Sequence, residues 1–105
     1  MRILVVCGAG ASSTFVAQRL RSAAVRSGVP LEVAAGTEDT LAGLTEAVDI
    51  VLVGPHLEPA FPRVQDASRA VNAIAVLLPS DAFEDRDGSR LLQLVTAAHA
   101  ASVTE

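Results

Sequence analysis

"RILVVCGAGASSTFVAQRL", residues 2–20, joins an apolar run to a helical pattern through a handful of small residues. Residues 2–6 are short, β-branched and free of charge after Arg2, which suits a strand covered on both faces. Val16, Leu20, Ala23 and Ala24 then fall at i, i+4, i+7 and i+8, the inner stripe of a helix over 13–27. Gly28 and Pro30 supply its stop. Strand, small-residue loop and helix make the opening unit of a parallel α/β fold, and the rest of the chain keeps the same alternation.

"LEVAAG" (31–36) reads as a second strand, at or near a sheet edge. Thr37 is placed to cap a helix over 38–47 that turns Leu41, Leu44 and Val48 inward. "VDIVLVG" (48–54) is the most strand-like run and stops at Gly54-Pro55. Leu57, Phe61, Val64, Ala67 and Val71 are spaced as the buried face of a helix starting near Glu58, with Pro59 and Pro62 close to its start, where proline is tolerated. "AIAVLL" (73–78) reads as a fourth buried strand, ended by Pro79. "SDAFEDRDG" (80–88) is an acidic surface loop, and a last helix from about Ser89 turns Leu91, Leu94, Val95 and Ala98 inward. The order βαβαβαβα predicts one α/β domain over 1–105: a four-stranded parallel sheet in the order 2-1-3-4, right-handed crossovers and helices on both faces.

Half of the 105 residues are hydrophobic but only three are aromatic, all Phe, so Val, Leu, Ile and Ala must build the core. A single cysteine makes no intramolecular disulfide, and the first apolar run is too short for a signal-peptide core or a membrane span. A cytoplasmic domain is the expectation. The net charge is −4, with eight Arg, no Lys and twelve acidic residues, and stacking aromatics are missing, which argues against nucleic acid as a partner. Arg19, Arg21 and Arg26 cluster on one helix. A solvated face is the plainer explanation; a docking patch for an acidic partner is the sharper one.

In open parallel sheets ligands bind outside the carboxyl ends of the strands, where strand order reverses. The loops over 7–14 and 54–57 both belong to that edge. Small residues at 8–11 let the backbone curl so that several N–H groups point inward, and Ser12, Ser13 or Thr14 can cap the following helix. Such a loop suits a phosphate, and a thiol within it is expected to titrate below the free value of about 8.5. A free cysteine is also commonly an inert small hydrophobe; its place in a phosphate-type loop favours a functional thiolate. No Walker lysine or G-x-G-x-x-G supports a nucleotide site. Low-molecular-weight tyrosine phosphatases and related arsenate reductases use C-x5-R, whose arginine clamps the phosphoryl oxygens. Here that position is Ser13, and no arginine occurs before Arg19. A site that accepts a phosphoryl group without that clamp reads as a relay rather than a hydrolase.

"ILVVCGAGASSTFVAQRLR", then "DIVLVGPHL", then "DAFEDRDGSRLL", resembles the lactose/cellobiose-type enzyme IIB of the bacterial sugar phosphotransferase system (PTS), over nearly the whole chain. The resemblance implies a phosphoryl relay. A phosphohistidine on enzyme IIA would donate to Cys7, and the phosphocysteine would pass its group to a sugar held by the membrane enzyme IIC, with the chain peripheral to that transporter. Gly8, Ala9, Gly10, Ala11, Ser12, Ser13 and Thr14 would hold the phosphate, with Gly54, Pro55 and His56 as second-loop contacts. No cofactor or metal is expected. The family often has Gln where this chain has His56 and Tyr where it has Phe83; His56 either contacts the phosphate or is an exposed loop residue, and Phe83 packs. His99 reads as a surface or boundary residue. A cysteine phosphatase and a non-catalytic regulatory domain stand as alternatives. The sugar, whether lactose, cellobiose or chitobiose, is not written in the chain.

Overall fold

The computed structural model describes residues 1–6, 10–36, 48–79 and 88–103, with side chains for all but 10–13, 56 and 101–103. Its elements run β1 (Arg2–Val6), α1 (Gly10–Ser27), β2 (Glu32–Gly36), β3 (Ile50–Val53), a 3₁₀-helix (Pro55–Ala60), α2 (Phe61–Ala70), β4 (Ile74–Leu77) and α3 (Ser89–Val103). The four strands form one parallel sheet, as the alternation of elements predicts, in the expected order β2-β1-β3-β4. The expected helix over 38–47, with Thr37, and the acidic loop over 80–87 lie outside the described residues.

Side chains alternate across a strand, so each central strand feeds two cores. Ile3 and Val5 of β1, with Ile50 and Leu52 of β3, pack under α1 and α3. Leu4, Val6, Val51 and Val53 face the opposite way, toward Val64, Phe61, Ala67 and Leu57. Helices thus cover both faces, which is why these strands tolerate no polar alternation. α1 buries Val16, Leu20, Ala23 and Ala24 as its spacing predicts, together with Ala17. α3 buries Leu91 and Val95 with Leu94 and Ala98 half-buried; Leu92, outside the expected stripe, is buried too.

Two helix starts and the burial of one strand differ from expectation, each for a local reason. α1 begins at Gly10 rather than residue 13, because Gly, Ala and Ser carry no apolar period to mark the first turn. α2 begins at Phe61 rather than near Glu58. Pro59 and Pro62 have no N–H to give, so the chain first winds as a 3₁₀-helix, with the Phe61 N–H on the Glu58 carbonyl, and Pro62 then occupies the tolerated first turn. β4 is half-buried along its length, not buried, because it is an edge strand.

α1 ends in a Schellman motif. Gly28 takes φ +70°, its N–H donates to the Val25 carbonyl at 3.3 Å, and the Val29 N–H donates to the Ala24 carbonyl at 2.9 Å. α2 ends the same way with Asn72 at φ +59°, its N–H on the Arg69 carbonyl and that of Ala73 on the Ser68 carbonyl. At the amino edge of the sheet Asp49 accepts the Arg2 N–H through its carboxylate at 2.8 Å, donates its own N–H to the Arg2 carbonyl, and accepts the Ile74 N–H. One residue therefore ties three strand starts together.

β2 is the other edge strand. Glu32 donates its N–H to the Met1 carbonyl, so in the alternating ladder Val33 turns its carbonyl outward. Arg21 of α1 covers it, donating from both Nε (3.0 Å) and Nη2. Among the described residues no helix is long and apolar enough to cross a membrane.

Gly88, at the start of α3, is buried with φ +76°, and a Cβ there would stand 2.2 Å from the Arg19 carbonyl oxygen of α1. Gly28 has a similar φ, but a Cβ there would meet nothing within 4 Å. Gly28→Ala is therefore expected to cost only the backbone strain, about 1 kcal/mol. Gly88→Ala adds a clash with main chain and is expected to cost roughly 2–4 kcal/mol. Urea denaturation of the two variants checks the difference.

Candidate functional site

β2 lies on one side of β1, and β3 and β4 on the other, so strand order reverses between β1 and β3. Outside their carboxyl ends is the crevice where open α/β sheets bind ligands. The parallel register ends with Val6 opposite Val53. One further bond continues it: the buried Gly54 N–H donates to the Val6 carbonyl at 2.8 Å. On the far side, the Leu78 N–H donates to the Val53 carbonyl at 2.8 Å. The segments that follow β1 and β3 therefore start side by side, fixed to each other by main chain.

Gly54 is extended, φ −61° and ψ 146°, and its carbonyl accepts the Leu57 N–H at 3.0 Å. This turn sets Pro55 as the first residue of the 3₁₀-helix, half-buried at the crevice. The backbone of His56 follows within that helix; its side chain is outside the description. Gly54 and Pro55 are thus where the sequence reading puts its second loop.

Cys7, Gly8 and Ala9 connect β1 to α1 and lie outside the described residues, as does Phe83. Gly10, Ala11, Ser12, Ser13 and Thr14, expected in the loop, belong instead to the first turns of α1. Ser12, Ser13 and Thr14 are consequently not N-caps, since the helix has already begun. Their backbone has a different use. The first four N–H groups of a helix have no intrahelical acceptor, and here they belong to residues 10–13 at the carboxyl edge of the sheet, next in the chain after the Cys7 segment. The helix dipole adds partial positive charge there. An anion is favoured by the open first turn, not by a long loop.

The field along α1 points the same way. Its first turn holds no acidic residue, and Arg19, Arg21 and Arg26 are its only charged groups. Two of these arginines do more than line a solvated face: Arg21 covers the β2 edge, and the Arg19 guanidinium lies 3.9 Å from the centre of the Phe15 ring. Phe15 is 48% exposed, the feature that sequence reasoning passed over. A signal was available, since Val16 turns inward and a helical neighbour sits 100° around the axis. His99 is exposed on α3, as expected of a surface residue.

A family model described as "PTS system, Lactose/Cellobiose specific IIB subunit" matches residues 2–94. Among solved structures the fold is similar to the lactose-specific IIB component domain of the phosphotransferase system from Streptococcus pneumoniae. That likeness has TM-score 0.77 and 15% identity, covering 92% of this chain and 95% of the other. It is also similar to the cellobiose-specific phosphotransferase IIB component from Borrelia burgdorferi, at TM-score 0.72 and 26% identity, covering 93% of this chain and 90% of the other. No curated protein matches the chain by sequence.

The dihedrals of Gly54 suit proline, so Gly54→Pro removes the N–H with little backbone strain. The buried Val6 carbonyl then loses its donor, and a loss of about 1–3 kcal/mol is expected. Equilibrium unfolding measures it; an unchanged midpoint would show that this bond does not hold the two segments together.

Proposed function

Given that the chain belongs to the lactose/cellobiose-specific IIB family of the sugar phosphotransferase system, we propose that it is the phosphoryl carrier of such a system, with Cys7 as the group phosphorylated. The observation that carries the proposal is positional. Only residues 7–9 separate the end of β1 from the open first turn of α1, at the point where strand order reverses. The backbone N–H groups of residues 10–13 follow this segment in the chain, and the Gly54-Pro55 turn starts beside the end of β1.

In the first step the Cys7 thiolate attacks the phosphorus of a phosphohistidine on enzyme IIA. The S–P bond forms, the P–N bond breaks, and the electron pair returns to the imidazole, which takes up a proton from solvent. In the second step a sugar hydroxyl oxygen attacks the same phosphorus. The O–P bond forms, the S–P bond breaks, the sulfur leaves as thiolate and the hydroxyl proton goes to solvent. Neither step asks the protein for a strong base. Both ask for a fixed line of attack and donors aimed at the phosphoryl oxygens, which main-chain amides supply without rearranging.

In this reading Gly8 and Ala9 take part in holding the phosphate, and Gly10 to Ser13 offer the amides of the first turn of α1, with Thr14 next in the chain. His56 is the titratable residue that follows Gly54-Pro55. A C-x5-R arginine would hasten attack of water on the phosphocysteine. The chain has Ser13 at that position, and its next arginine, Arg19, lies over the Phe15 ring. This supports a relay over a phosphatase. The acceptor proposed is a β-linked disaccharide of the lactose, cellobiose or chitobiose type, presented at the cytoplasmic face of enzyme IIC.

Label from phosphoenolpyruvate, supplied through the general phosphotransferase proteins and the IIA protein of the same system, is expected on the wild type and to persist for minutes. Cys7→Ser is expected to take none. Label retained in that variant, or absent from the wild type, would sink the proposal, and rapid release of inorganic phosphate would favour the phosphatase. Independently, iodoacetamide alkylation of Cys7 is expected to reach its plateau at a pH below the free-thiol midpoint of about 8.5, because the thiolate is stabilised.

A further inference from the structure

The outer side of α1 combines features that the phosphoryl chemistry does not use. Thr14, Phe15, Gln18, Ser22 and Val25 are exposed along it, and Phe15 is a large apolar ring left nearly half in water. Arg19 stacks on that ring at 3.9 Å, which fixes both side chains before any partner arrives. Aromatic and arginine side chains of this kind are the residues that most often dominate protein–protein interfaces. Phe15 also lies only five residues beyond the first residue of α1, so a molecule resting on it is within reach of the group after β1.

Charge indicates the kind of partner. The chain carries −4 overall, yet α1 and α3, which share one face of the sheet, hold Arg19, Arg21, Arg26 and Arg90 and no carboxylate. The described carboxylates sit elsewhere: Glu32 and Asp49 at the amino edge, Glu58 on the 3₁₀-helix and Asp66 on α2. On the opposite face Arg63 and Arg69 balance Glu58 and Asp66, so among the described residues an acidic surface is favoured at the α1–α3 face.

We propose that the Phe15–Arg19 platform is the docking surface for the soluble phosphoryl donor, which meets it with an apolar patch ringed by carboxylates. The inference rests on the carrier function proposed above. The alternative occupant, the cytoplasmic side of a membrane transporter, is enriched in Lys and Arg and would be repelled by the same arginines. Donor and acceptor are therefore told apart by charge.

The test is steady-state transfer of label from the phosphorylated IIA protein to the full chain. Phe15→Ala is expected to raise KM for the donor roughly tenfold or more while kcat stays within about twofold. Arg19→Gln is expected to raise KM less and to flatten its dependence on salt. Phe15 is exposed, so an unchanged unfolding midpoint and unchanged alkylation of Cys7 would show that fold and loop are intact. A donor KM unmoved by Phe15→Ala overturns the inference. So does an unmoved donor KM together with slower transfer to transporter-containing vesicles, which would assign the platform to the acceptor. Should Cys7 take no label at all, the carrier function fails by itself. Calorimetric titration of unphosphorylated IIA protein onto wild type and Phe15→Ala then still decides the surface, equal affinities overturning it.

Discussion

The hydrogen bond from the Gly54 amide to the Val6 carbonyl extends the parallel ladder one step past its last paired residues. Everything at the carboxyl edge is referred to it. Parallel strands cannot be joined by a tight turn, so the segments that leave β1 and β3 come from distant parts of the chain and have no local reason to meet. The shared register brings them together, and that register is secured from the opposite edge by Asp49, which binds both the N–H and the carbonyl of Arg2 and accepts from Ile74. The core then has only to fill the two faces of a frame already aligned.

Much of this was legible in the sequence because the central strands are covered on both sides and must be apolar throughout. β1 was placed to the residue, and the inward stripe of α1 followed from Val16, Leu20, Ala23 and Ala24. The start of α1 was not legible, since Gly10 to Ser13 have no apolar side chain to mark a period. Proline was ambiguous for a different reason: Pro59 and Pro62 fit either the first turn of an α-helix or a preceding 3₁₀ segment, and only the resulting hydrogen bonds distinguish them. The run "AIAVLL" said strand but not edge, because composition does not report how many neighbours a strand has. At the site, the adjacency of the ends of β1 and β3, with Gly54-Pro55 at that edge, was readable from the alternation of elements. That α1 already begins at Gly10 was not, and the Phe15–Arg19 stack needed coordinates.

The distribution of charge matters more than its sum. Among the described helices, α1 and α3 carry four arginines and no carboxylate, whereas on α2 and the 3₁₀-helix Arg63 and Arg69 are balanced by Glu58 and Asp66, so the two faces of the sheet differ in charge. Such an uneven distribution lets orientation be decided during approach to a charged partner, before contact.

Arg21 has a bearing beyond this one molecule. Edge strands present rows of main-chain donors and acceptors, and a neighbouring chain that adds a strand there begins an aggregate. By occupying the outward carbonyl of Val33 with two donors of a charged side chain, α1 places a cation where a foreign strand would have to lie. The helix whose first turn lies at the carboxyl edge of the sheet thus also guards the β2 edge against a foreign strand.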